Sequence, residues 1–283
     1  MIQNTLPDFL DLNHSKENIT ISDLEHYYSM YPEVFTEYFN YHCPKTEERL
    51  TAAIEKYPGK IENIRAISKT LPEIITNVLA IYNQRFETNT KLNFHLLVGG
   101  FGSNAFVERK IIGDVFFAAE KLSQEESHLQ IIAAHEIGHV YHNILSEQIE
   151  MDWSKVDWTN GLVTLYREGV ATYLSMVTVP GAHESVYFSY DAEGSDWLTF
   201  SQENLAQIKQ RFLLDAEAGW TFEKEREWFR LSGGSHFGYN RLGYFLGTAY
   251  VKDLVSKIGL DETLIYWNKK DVKQDVIDWL KIK

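Results

Sequence analysis

Through the first 90 residues, apolar side chains recur every three or four positions, the spacing of one face of a helix. Leu24, Tyr27, Tyr28 and Tyr31 follow Ser22-Asp23, which can cap a helix, and Pro32 opens a second segment with Phe35, Tyr38 and Phe39 on one face. Leu71-Pro72 starts a further run through Ile75, Val78, Leu79 and Tyr82. No cluster of chemically active groups falls in this stretch. Residues 1–90 therefore read as an N-terminal helical lobe that walls a cleft or packs behind it.

The period changes after residue 90. LNFHLLV (92–98) is apolar and unbroken, GGFGSN follows, and AFVERKII and VFFAAE are two more strand candidates separated by Gly113-Asp114. A small, partly antiparallel sheet is expected. Ser123-Gln124-Glu125-Glu126 fits a capping box, which predicts a long helix over about 124–145. A second helix fits about 159–177. The chain then reads as irregular to about 200 and as helical beyond, with a break at Leu231-Ser232-Gly233-Gly234 and a last helix group over about 239–281. The expected fold class is α+β, mostly helical, with residues 91–283 forming one compact region.

Composition narrows the partners. The chain has 283 residues, 44% of them hydrophobic, enough for a sizeable core. Its net charge of −13 repels phosphate backbones, so nucleic acid is not an expected partner. Cys43 is the one cysteine, which excludes an intrachain disulfide and a cysteine-rich metal site. No stretch has the length of a membrane span. The first residues, MIQNTLPDFLDLNH, lack a basic start and a long apolar run, so a cytoplasmic protein is expected; a removed leader would leave the same sequence.

The chemistry concentrates in HEIGHVYH, residues 135–142. Positions four apart lie on one face of a helix, so His135 and His139 can point at one ion. Glu136 flanks that face and can reach a water on the ion, the arrangement that zinc hydrolysis requires. A catalytic zinc has three protein ligands. A metzincin would place glycine and histidine where this chain has His142 and Leu145. His142 stands two turns from His135, about 10 Å along the axis, too far for a compact site; a neighbouring or surface role is expected for it. The better third candidate is Glu168, in YREGVATY, where the small Gly169 and Ala171 would let a second helix come close. Glu150, Asp152 and His183 are weaker alternatives.

HEIGH followed by REGVATY resembles the gluzincin zinc metallopeptidases, the thermolysin-like clan, and is most similar to predicted zinc-dependent proteases sharing an E-G-x-A helix and a later G-Y-x-x-G segment. Here that segment is Gly243-Tyr244-Phe245-Leu246-Gly247, and the likeness spans about residues 94–250. It implies one Zn2+ held by His135, His139 and Glu168, with Glu136 as general base and a peptide or protein as substrate. It also implies an edge strand that pairs with substrate at Asn104-Ala105-Phe106, 31 residues before His135. The oxyanion donor is open among Tyr244, Tyr239 and His236, and the resemblance favours Tyr244. Arg241 could hold a substrate carboxylate, although a solvated arginine is the plainer expectation. No G-A-M-E-N-like motif marks recognition of a free N-terminus. The alternative function is a zinc-binding regulatory protein with an inactive peptidase-like fold. The intact Glu136 speaks against it, because a structural site has no use for an unligating carboxylate beside the ion.

Overall fold

A computed structural model describes residues 1–16 and 18–282. The fold is α+β and mostly helical, and the chain clusters into two compact units, Met1–Glu136 and Ile137–Lys283. Among the described residues, no helix is long and apolar enough to cross a membrane.

The first unit begins with a strand, β1 (Ile2–Asn4), followed by α1 (Leu6–Ser15), α2 (Ile21–Ser29), α3 (Pro32–Tyr41), α4 (Glu47–Lys56) and α5 (Ile61–Arg85). Three strands come next, β2 (Phe94–Leu97), β3 (Ala105–Val107) and β4 (Val115–Ala118), and then α6 (Glu126–Gln148), within which the unit boundary falls. The sheet order is β1-β2-β4-β3, parallel except for the antiparallel β3–β4 pair. Three residues with no alternating pattern carry no strand signal, so β1 was not expected. It forms because Ile2, Gln3 and Asn4 pair with Phe94, His95 and Leu96.

Two helix starts differ from expectation. The cap of α2 is Thr20, whose hydroxyl accepts the Asp23 N–H while the Asp23 carboxylate accepts the Thr20 N–H, a complete capping box. Pro72 does not start a helix but lies inside α5. Proline there leaves the carbonyl of Ser68 without its helical donor. The Asn4 side chain donates to that oxygen at 3.2 Å. Burial of Ile64, Ile67, Leu71, Ile74, Ile75, Val78 and Tyr82 along one stripe holds the helix through the interruption.

The Gly99–Ser103 loop ahead of β3 is fixed almost atom by atom. The carbonyl of Gly99 accepts the Tyr57 hydroxyl (2.8 Å), that of Gly100 accepts Arg49 Nε (2.6 Å), that of Phe101 accepts Arg49 Nη2, and that of Gly102 accepts Lys121 Nζ (2.7 Å). The Phe101 N–H donates to the Glu120 carboxyl (3.2 Å) and the Gly102 N–H to the Tyr38 hydroxyl (2.9 Å). A Cβ on Gly102 would overlap the His42 carbonyl, so glycine is required there. The loop delivers β3 to the sheet edge. The Ala118 N–H bonds to Asn104 O and the Glu108 N–H to Asp114 O, both at 2.8 Å. By antiparallel alternation, the backbone groups of Ala105 and Val107 therefore point to the free edge.

The second unit comprises the C-terminal part of α6, then α7 (Gly161–Thr178), α8 (Val186–Ser189), α9 (Ser195–Glu203), α10 (Leu205–Glu217), α11 (Phe222–Phe229), α12 (Leu242–Ile258), α13 (Leu260–Leu264), α14 (Tyr266–Lys269) and α15 (Val272–Lys281). The stretch before residue 200 contains helices α8 and α9 rather than irregular chain. They form because Phe188 and Leu198 are buried in one apolar cluster with Phe245 of α12, a long-range gain that no local pattern reports.

Candidate metal centre

α6 starts at Glu126, three residues beyond Ser123, whose hydroxyl accepts the Glu125 N–H at 3.2 Å. From 131 to 144 nearly every side chain is buried. Ile131, Ile132, Ala133, Ala134, Ile137, Val140, Tyr141 and Ile144 explain that by themselves. His135 and Glu136 do not, because a buried polar group costs stability unless something engages it. The helix is braced at both ends of the motif. Tyr82 of α5 donates its hydroxyl to the Ala134 carbonyl at 2.7 Å, one residue before His135. In the second unit the His142 ring stacks on Trp267 (4.2 Å, 16°) and meets Tyr166 edge-on, while Trp267 Nε1 donates to Ser146 at 2.7 Å. His142 is thus a core ring and not a surface residue. Burial holds its pKa well below the usual histidine value, helped by the nearby Arg167 charge, so it packs as a neutral ring.

Asn160 caps α7 through the Leu162 N–H, and the helix places Glu168 opposite the histidines. Ligand atoms of His135, His139 and Glu168 all lie within 4.8 Å of one another, and His139 Nε2 is 3.3 Å from Glu168 Oε2. Donors on one tetrahedral ion at zinc–ligand distances sit about 3.4 Å apart, so the three side chains fit a single small cation. His135 and His139 ride on one uninterrupted helix, which fixes their separation. Glu150, Asp152 and His183 are not in this group: Asp152 caps a turn at Ser154, and His183 bonds Ser185.

Gly169 permits a close approach, but the partner is α12. A Cβ on Gly169 would overlap the Gly247 carbonyl, and one on Gly247 would overlap the Leu165 carbonyl. This glycine pair seats α12 against α7 one residue beyond Glu168. Leading into α12, the Gly234, Ser235 and His236 N–H groups all donate to Glu227 at 2.8–3.1 Å. The three oxyanion candidates then separate. His236 is bonded to Asp215 at 2.8 Å, and the Tyr239 ring stacks on Phe200 at 4.5 Å. Tyr244 lies with its ring 4.2 Å from the Arg241 guanidinium, whose charge Glu168 helps to stabilise. Sequence reading missed Glu225. It lies in a charged EKERE run and accepts Trp220 Nε1 at 3.2 Å. Burial raises its pKa, with Arg230, Glu168 and Arg167 near enough to act on it.

The family described as "Putative zinc dependent peptidase (DUF5700)" matches residues 9–273. The chain belongs to this family. That description supports a zinc-dependent hydrolase of peptides at a coarse level, and the match includes both helices that bear the candidate ligands. No curated protein and no solved structure matches the chain.

Proposed function

We propose that the chain is a zinc peptidase of the gluzincin type, with His135, His139 and Glu168 as ligands of one Zn2+ and Glu136 as general base. The observation that carries this reading is the convergence of two imidazoles and one carboxylate from two helices to within 4.8 Å. Two nitrogens and one carboxylate oxygen are the donor set of an open, catalytic zinc site. Bound there, zinc supplies a Lewis acid and brings the pKa of its water towards 7.

The other steps belong to the chain's own residues. Glu136 is buried beside His135 and takes the proton of the attacking water, then delivers it to the leaving nitrogen. The Tyr244 hydroxyl donates to the developing oxyanion. Its place beside Arg241, within the reach of the Glu168 charge, supports that role. The substrate backbone pairs along β3. Here the expected groups are refined: Asn104 Oδ1 accepts the Ala105 N–H at 2.9 Å, so the edge offers the Ala105 carbonyl and both backbone groups of Val107.

Metal analysis together with Glu136→Gln on a mixed peptide library tests this function. The expected result is one zinc per chain in both proteins, and cleavage by wild type that falls about a hundredfold or more in the variant. Zinc with equally inert wild type and variant would favour the regulatory reading.

A further inference from the structure

Arg241 is not the solvated arginine that its sequence setting suggests. It has φ 58°, and Tyr190 has φ 60°, both in the left-handed region that side-chain-bearing residues adopt only at a cost. These two strained residues meet. The guanidinium carbon lies 5.4 Å from the Tyr190 ring centre and 4.2 Å from that of Tyr244. Nη1 donates to the Phe188 carbonyl at 3.1 Å, and the guanidinium also hydrogen-bonds the Tyr244 side chain. Acidic side chains outnumber basic ones 40 to 27 in this chain, yet none forms an ion pair with Arg241 among those residues. Burial works against its charge. The Tyr244 and Tyr190 phenols, and beyond them the Glu168 carboxylate, more than offset this, so its pKa stays above the ordinary arginine value.

A guanidinium carries five N–H donors in a planar fork that matches a carboxylate. The Tyr190 and Tyr244 rings orient the fork of Arg241, and its bonds to Phe188 and Tyr244 leave further donors over. A fixed cation is thereby held ready, with most of its donors unused, within the field of a candidate zinc ligand.

We propose that Arg241 receives a carboxylate of the peptide substrate, so that the site selects peptides presenting an anionic group near the bond to be cut. This assignment rests on the peptidase reading above and adds a substrate class to it. The carboxylate comes from the peptide C-terminus or from an aspartate or glutamate side chain, since the fork accepts both.

Binding to zinc-loaded Glu136→Gln protein separates recognition from turnover. Calorimetry would compare four versions of one peptide: free-acid or amidated C-terminus, each with an internal glutamate or glutamine. One carboxylate version should bind about tenfold or more tightly than its neutral counterpart, and which pair differs names the source. Adding Arg241→Gln should bring that ratio to about one, while Arg241→Lys, which keeps charge without the fork, should retain part of it. Equal affinities for all four peptides, or binding of none, overturns the proposal without any Arg241 variant having to fold. An undiminished ratio in Arg241→Gln overturns it as well. The peptidase reading fails separately, if zinc-loaded wild type cleaves none of the four.

Discussion

Two glycine-rich loops, one in each unit, are clasped by a glutamate, and the two glutamates respond oppositely to pH. In the first unit Glu120 accepts the Phe101 N–H of the Gly99–Ser103 loop. In the second, Glu227 accepts three successive N–H groups, from Gly234 to His236. Glu120 is fully buried, and that burial outweighs its backbone hydrogen bonds and pushes its pKa up to about 7. Glu227 feels burial too, but the His236 and Ser235 N–H groups win and hold its pKa below the usual value. The same device thus yields a carboxyl inclined to keep its proton in one loop and a firm carboxylate in the other. Both carboxyls accept backbone N–H groups, so the depth of burial decides which: Glu120 is fully buried, and Glu227 is only partly so.

The largest effect that can break this comparison is steric. Gly102→Ala drives a Cβ into the His42 backbone and should lower the stability of the chain by about 3 kcal/mol, read from urea unfolding. Next comes pH. The folded-state pKa of Glu120 lies above its unfolded value, so its contribution is fully present below about pH 4.5 and is lost as pH rises towards 7. Over that window the difference in stability between wild type and Glu120→Gln should shift by as much as about 3 kcal/mol, to the variant's advantage at the higher pH. A flat difference would show that Glu120 is not desolvated. Glu227 has the opposite sign: its contribution is present above about pH 4.5 and is lost as pH falls through its lowered value. Glu227→Gln should cost about 1–2 kcal/mol at neutral pH, moderated by partial exposure, and nothing once the wild-type carboxylate is protonated. The smallest effect belongs to Gly238. It has φ +76° and open space at its Cβ position, so Gly238→Ala should cost only about 1 kcal/mol of backbone strain. Equal losses at Gly102 and Gly238 would erase the distinction between a glycine kept for room and one kept for its dihedral angle.

Local features were legible in the sequence and long-range ones were not. His135, Glu136 and His139 declare themselves because helix geometry turns a spacing of four into a shared face. Glu168 was legible through its small neighbours and through resemblance, although Gly169 turned out to serve α12 instead of the histidine helix. β2, β3 and β4 were visible as short apolar runs, whereas β1 exists only through its pairing with β2. Pro72 looked like a boundary because the residue that relieves the freed Ser68 carbonyl, Asn4, lies 64 positions before that serine. Neither Glu120, Glu225 nor the cradle of Arg241 has a local signature: each depends on burial or on rings contributed by other elements.

The central claim is that two helices assemble one zinc site from His135, His139 and Glu168. Zinc content of purified wild type, His135→Ala, His139→Ala and Glu168→Ala, with circular dichroism to verify folding, tests it most directly. One zinc per wild-type chain is expected, with an affinity loss of tenfold or more (about 1.4 kcal/mol) in each folded variant. Wild-type protein that binds no zinc, or a folded Glu168→Ala variant that holds zinc as tightly as wild type, would contradict it.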